Sequence, residues 1–188
     1  PSIGGVGLIK DYKKMVTMDF KKIDNLVLVI GKTEGHIDQS LFARSILDEK
    51  NGPPPEVNLF NEKNNGESLL DLINKNYIQS AHDISLGGLI TAISKMCIQG
   101  NKGIKLKKTN NFVNELEYLF SEDQGRYIIE IKPEDLKEVI NILDKNSVHY
   151  DELGIITDKE MIINQKTKLT IDELKSYYTN WLTNYMSA

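Results

Sequence analysis

The chain has 188 residues, a formal net charge of −4 and 40% hydrophobic content, which suits one domain with a real core and excludes disorder. Acidic and basic residues are mixed along it, so there is no basic stripe of the kind a phosphate backbone needs, and a nucleic acid partner is excluded. The single cysteine, Cys97, permits neither a disulfide framework nor a thiolate metal site, and no apolar run approaches the ~20 residues of a membrane-spanning helix, so a cytoplasmic protein with no membrane partner is expected.

The chain opens at Pro1 without an initiator Met and runs into Ile3-Gly4-Gly5-Val6-Gly7, which reads as the interior of a longer polypeptide. Residues 1–24 are expected to be an inter-domain connection and residues 25–188 the domain proper. Asn25-Leu26-Val27-Leu28-Val29-Ile30 is a continuous apolar run closed by Gly31 and predicts a central strand buried on both faces. Ser40 to Asp48 reads as a helix with Phe42, Ile46 and Leu47 on one side. It ends before Asn51-Gly52-Pro53-Pro54-Pro55, a loop, since consecutive prolines lack amide donors.

Leu69, Leu70, Leu72 and Ile73 predict a second helix over about 67–74, followed by a strand near 77–83. Leu89, Ile90, Ile93, Met96 and Cys97 recur at helical spacing and predict an amphipathic helix over 87–98, completing a strand-turn-helix unit. Phe112 to Phe120 looks helical, and Gly125 to Ile131 looks like a strand. Pro133 opens a helix in which Leu136, Val139, Ile140 and Leu143 repeat at i, i+3, i+4, i+7. Val148 to Thr157 and Met161 to Asn164 read as strands joined by a turn at Asp158-Lys159, and a last helix runs from Ile171 through Leu174, Tyr178, Trp181 and Tyr185. This alternation predicts one α/β (α+β) domain, a layered sandwich with a mixed sheet and flanking helices.

The richest segment is Ala81-His82-Asp83-Ile84-Ser85-Leu86-Gly87-Gly88-Leu89. Asp83 is expected at the carboxyl end of a strand, Ser85 at an N-cap, and Gly87 and Gly88 where free amides can face an anion, which suits phosphate or metal-phosphate binding. Alternatively, Ser85 only caps, the glycines only permit close packing, and Asp83 complements the helix dipole. Ser121-Glu122-Asp123-Gln124-Gly125-Arg126 places acceptors and a cation on one loop, able to ligate a metal or a hydroxylated substrate, or simply a solvated turn. Gly31-Lys32-Thr33-Glu34-Gly35 lacks the Gly-Lys-Ser/Thr ending of a P-loop and is rejected as one. His36, His82 and His149 show no metal-ligand spacing, and no Ser/His/Asp set stands out, so neither a catalytic nor a metal residue is assigned. Tyr177, Tyr178, Trp181 and Tyr185 form an aromatic stripe, usually core, with a subunit or domain contact as the alternative.

Taken in order, Pro1-Ser2-Ile3-Gly4-Gly5-Val6-Gly7, Gly35-His36 through Ser40-Leu41-Phe42, Gly52-Pro53-Pro54-Pro55, His82 through Leu89, and Phe120 through Arg126 resemble the last domain of the phosphoribosylformylglycinamidine synthase family. Thr170-Ile171-Asp172-Glu173-Leu174 and Trp181-Leu182 are similar to its usual terminus. The resemblance implies the superfamily of aminoimidazole ribonucleotide (AIR) synthetase, selenophosphate synthetase, thiamin-monophosphate kinase and the hydrogenase-maturation dehydratase. Its members pair an ATP-binding N-terminal domain with a C-terminal α/β domain. The synthase carries the pair twice, and this chain resembles the second C-terminal domain.

The resemblance implies an enzyme that uses ATP, Mg2+ and glutamine-derived ammonia to convert formylglycinamide ribonucleotide to the amidine in purine biosynthesis. Its catalytic histidine and main ATP and Mg2+ ligands lie in other domains, so this chain alone is expected to be inactive scaffold and interface. By the same resemblance Asp83 corresponds to an aspartate that approaches magnesium in the first copy, and Glu122, Asp123 and Gln124 to a loop that approaches substrate. With Ser85, Gly87 and Gly88 they are expected to line a related non-catalytic nucleotide pocket, from which Leu86 departs as an apolar residue in a polar turn. Expected partners are the N-terminal domains of the same polypeptide, a glutaminase subunit and a small bridging subunit. Two alternatives stand beside this reading. One is a hydrogenase-maturation or selenophosphate protein, against which Ala188 ends the chain without a terminal cysteine motif; the other is a free-standing phosphate or nucleotide module built on Gly87-Gly88.

Overall fold

The apolar run Leu26–Ile30 forms strand β1, and the alternation inherent in a strand sends its side chains to opposite sides. Val27 and Val29 pack into one core cluster with Leu89, Ile93, Met96 and Tyr118, while Leu28 and Ile30 pack into another with Leu72, Val139 and Leu143. The structure, a computed structural model, describes residues 4–107, 114–165 and 167–187. The opening Pro1-Ser2-Ile3 and the first residues of the helix predicted from Phe112 lie outside these.

Six further strands follow in the described residues: β2 Ile78–Asp83, β3 Gly103–Leu106, β4 Tyr127–Ile131, β5 Tyr150–Thr157, β6 Glu160–Ile163 and β7 Thr167–Thr170. They form one sheet in the order β2-β4-β1-β5-β3-β6-β7, antiparallel at every pairing except β3 with β6. One face is covered by α3 (Gly88–Gly100), α4 (Glu115–Phe120) and the start of α6 (Ile171–Ser187), the other by α2 (Leu59–Asn74) and α5 (Leu136–Lys145). A short α1, Leu41–Ser45, lies between β1 and α2. The layered α/β arrangement with a mixed sheet is the one the alternation of elements predicts.

The differences from the sequence expectation are local. Both neighbours of β1 are antiparallel, so its continuous apolar run reports burial on two faces and carries no information on strand direction. Helix α2 starts well before the apolar repeat, because Asn58 caps it by accepting from the Phe60 and Asn61 amides while its early turns carry Asn65 and Ser68 inward. Helix α1 stops at Ser45, and the predicted partners Ile46 and Leu47 stay exposed. Strands β3 and β7, of four residues each, are absent from the sequence expectation, and β7 is a polar edge strand. Strands β5 and β6 do not pair with each other; β3 lies between them, and the Gly103 amide donates to the Asp158 carbonyl at 3.0 Å where the chain crosses.

One acidic side chain points into the sheet core. Glu130 of β4 is fully buried and accepts hydrogen bonds from the Lys21 and Lys22 amides, Asn25 Nδ2 and Ser80 Oγ at 2.7–3.1 Å. Those four donors satisfy the carboxylate in place of water. With Phe20, itself core, they bind residues 20–25 to β4 and β2.

Candidate functional site

Three loops meet at one end of the sheet because of strand register. Ile30 at the end of β1 and Asp83 at the end of β2 both pair with Tyr127 at the start of β4. The loops 31–40, 84–87 and 121–126 therefore leave the same edge. Close contact needs glycine at two positions. A Cβ on Gly31 (φ +94°) would lie 2.7 Å from the Gly125 carbonyl oxygen, and one on Gly88 (φ +71°) would lie 2.7 Å from Phe120 and Ser121 backbone atoms. Phe42 of α1 and Phe120 of α4 stack at 4.6 Å across the cluster.

The loop after α4 holds the other two. Glu122 Oε1 accepts from the Leu41 amide at 2.7 Å and the Gly87 amide at 2.8 Å, thereby touching the N-termini of α1 and α3. The Asp123 carboxylate accepts from the successive amides of Glu34, Gly35 and His36 at 3.0–3.1 Å. Arg126 is buried and donates to Thr33 Oγ1, the Ser121 carbonyl and the Asp123 carbonyl at 2.7–3.2 Å. Burial pushes the Arg126 guanidinium below its ordinary pKa, while the nearby Asp123 and Tyr118 act in the opposite direction. Burial likewise raises the Tyr118 phenol, with Asp151 adding to the shift and Arg126 opposing it. Among the described residues, buried Tyr118 Oη and Ser121 Oγ have no hydrogen-bond partner.

Ser85 is not the N-cap of α3. The cap is Gly87, in a left-handed conformation with no side-chain hydrogen bond, and Ser85 contributes its carbonyl to the Gly88 amide at 2.9 Å. The two glycine amides are accordingly not free. Gly88 closes this turn, and Gly87 faces Glu122, so the anion at this helix start is the protein's own carboxylate. Asp83 does end β2; it is exposed, and its Oδ1 lies 2.9 Å from His82 Nδ1. His82 Nε2 is buried without a partner among the described residues.

Asp83 and Gln124 open onto different clefts. Asp83, with His82, Met18, Leu69 and Tyr127, lines one of about 770 Å³. Gln124, with Lys32, Asn58, Asn61, Glu62 and Asn65, lines another of about 530 Å³. Tyr127 links their surroundings: burial first, then the charges of Glu62 and Asp83, raise its phenol pKa. The sequence reading missed the amides of residues 34–36 and the inward role of Arg126. The signal lay in Gly31 and Gly35, both at positive φ in the segment rejected as a P-loop.

Residues 22–164 match the family described as AIR synthase related protein, C-terminal domain. The chain is 68% identical over 186 residues to phosphoribosylformylglycinamidine synthase subunit PurL of Pelagibacter ubique, covering 99% of this chain and 26% of that relative. Thermotoga maritima PurL complexed with ATP shares the fold with a TM-score of 0.66 at 16% identity, over 86% of this chain and 27% of that one. The structure of PurLQS from Thermotoga maritima gives 0.66 at 18% identity, over 86% and 28%. The chain spans about a quarter of the length of the curated relatives it matches.

Proposed function

Since the chain belongs to the AIR synthase related protein family through the C-terminal domain at residues 22–164, we propose that it is the C-terminal domain of a phosphoribosylformylglycinamidine synthase. The identity of 68% over 99% of the chain to a PurL subunit carries this reading. In that reading the complete enzyme would be an ATP-dependent ligase that converts formylglycinamide ribonucleotide and glutamine-derived ammonia to the amidine, with ATP and magnesium supplying the phosphoryl activation.

Within that enzyme this domain acts as scaffold and interface. The observation behind this is the state of its carboxylates: Glu122 accepts from two backbone amides and Asp123 from three. Among the described residues no group of three or more His, Cys, Asp or Glu side chains is placed to hold a metal ion. The residues present do not by themselves fit magnesium-ATP, and no catalytic step is assigned to them. Asp83 and Gln124 are exposed and line two separate clefts, and for each of them contact with a ligand held by neighbouring domains is part of the proposal.

The proposed partners are the preceding domains of the longer polypeptide together with glutaminase and small bridging subunits, a reading supported by the subunit naming of the relative and by the PurLQS assembly. Residues 1–24 are proposed as the connection to those domains, with residues 20–24 already held against the sheet. No helix among the described residues is long and apolar enough to cross a membrane. The proposed setting is the cytoplasm, in keeping with one buried, unpaired cysteine.

Calorimetric titration of the chain with Mg-ATP and with Mg-ADP tests the scaffold assignment. The expected result is no saturable heat from folded protein. Micromolar binding lost in Asp83→Ala would overturn it and make this chain a nucleotide module in its own right.

A further inference from the structure

The polypeptide enters the domain beside a helix face that the fold leaves open. From Gly4 to Lys13 every residue is exposed, Val6, Leu8, Ile9 and Tyr12 among them, and the chain is held from Lys14 onward. Lys14 Nζ donates to the Asn74 carbonyl, and the Ala81 amide of β2 donates to the Thr17 carbonyl at 3.1 Å. Met18 then reaches a cavity of about 160 Å³, which it lines together with His82, Ile98 and Tyr178 of α6. The entering segment and α6 are therefore neighbours. At 100° per residue Trp181, Leu182, Tyr185 and Met186 continue the half of α6 that Ile171 and Leu174 dock on the core. With Tyr177 and Tyr178, these side chains are 53–77% exposed.

Composition states what kind of surface fits. Residues 4–9 and 176–187 carry no charge in a chain that is 27% charged, which suits burial against an apolar protein surface. The polar half of α6 holds Ser, Thr and Asn and lacks the Lys and Arg of helices that lie on anionic lipid. At about 200 Å² per large side chain, the six exposures on α6 leave roughly 800 Å² open, within the span of about 600–1,500 Å² for interfaces between domains of one chain.

Length and proximity select the occupant. The match to the 68% identical relative covers 99% of this chain, α6 included, and only 26% of that relative, so the face belongs to a shared region of a much longer polypeptide. About ten Gly-rich residues span roughly 17 Å on average. A domain upstream of Gly4 is thereby held over Tyr178 at millimolar effective concentration, about a thousandfold above what a second copy reaches at micromolar concentration. Resting on the reading of this chain as a C-terminal domain, we propose that the open half of α6 and the apolar side chains of residues 4–18 form one docking face for the domain that immediately precedes them in the same polypeptide. The partner surface is apolar and uncharged, and Trp181 and Tyr185, whose rings lie 6.1 Å apart, are the anchors of the contact.

Hydroxyl-radical labelling of Trp181, Tyr185 and Met186 tests this in the full-length polypeptide that contains this chain, at sub-micromolar concentration, as a monomer by sedimentation velocity and with no other subunit present. Compared with the 188-residue chain, labelling of these three side chains falls about tenfold as the face is buried. In the full-length polypeptide W181E/Y185E speeds tryptic cleavage at Lys10 and Lys13 about tenfold by opening the contact, while Thr183→Lys on the polar half leaves cleavage at the parent rate. Equal labelling of the two proteins overturns the proposal, as does unchanged cleavage of W181E/Y185E. So does protection that appears only as concentration rises, which assigns the face to a second copy, or only on adding a glutaminase or bridging subunit. Synthase assay of the same polypeptide with its subunits tests the functional reading separately. An active enzyme with freely labelled Trp181 refutes the docking face alone, and an inactive one with protected Trp181 supports the docking face and refutes the synthase reading.

Discussion

Asp123→Asn is the most informative single change, because it keeps shape while removing the negative charge and the acceptor capacity of one oxygen. In the native loop Asp123 Oδ2 accepts from the Glu34 and Gly35 amides, and Oδ1 accepts from the His36 amide. An asparagine carbonyl can serve the first two, whereupon its NH2 group faces the His36 N–H, donor against donor. One charge-assisted bond is lost and two become neutral, which amounts to about 3 kcal/mol. At roughly 2–4 °C per kcal/mol for a chain of this size, Tm falls by roughly 6–12 °C. Glu122→Gln is the internal control. Its single amide oxygen can still accept from Leu41 and Gly87, so the cost is about 1 kcal/mol. Urea and thermal unfolding of the three proteins measure both. A D123N protein within 1 kcal/mol of the parent, or an E122Q protein less stable than D123N, would refute the idea that these carboxylates hold the loop cluster together.

Two further outcomes are expected. Glu173 accepts from the Thr170 amide and hydroxyl at the start of α6, and these bonds hold its carboxyl below the ordinary value of 4.5. Its contribution is therefore complete above that value and is lost as pH falls through the lowered folded pKa; Glu173→Gln should abolish the pH dependence of exchange protection in the first turn of α6. Burial pushes the Cys97 thiol up to about 12, so a thiol reagent near pH 8 should label the native chain no faster than it unfolds. Rapid labelling of folded protein would place Cys97 outside the core.

The elements that read clearly were those whose apolar spacing serves the core directly. Val139 and Leu143 announce α5, and the β1 run announces a strand covered on both faces. Elements built on polar contacts were silent. The first half of α2 is held by the Asn58 cap and by Asn65, whose Nδ2 donates to the Gly125 carbonyl, and neither leaves a hydrophobic repeat. At the candidate site the residue types were readable and their use was not. Glu122, Asp123 and Arg126 look like ligands for something external, yet the two carboxylates are consumed by backbone amides tens of residues away, and Arg126 by the Ser121 and Asp123 carbonyls and the Thr33 hydroxyl. Only the register that brings Ile30 and Asp83 to Tyr127 reveals those partners. Leu86, the apolar residue in a polar turn, is exposed, and nothing in the structure explains it.

The Glu130 clasp changes where this domain begins in an energetic sense. A chain started at Asn25 would retain the β1 strand yet strip the Lys21 and Lys22 amides from a carboxylate with no access to water. A buried ion left partly unsolvated is a strong reason for the sheet edge to open. The folding unit therefore extends upstream to at least Phe20. For the same reason residues 20–25 are no tether: they are gripped by a carboxylate whose bearing lies inside the core, and they leave the sheet on a fixed heading.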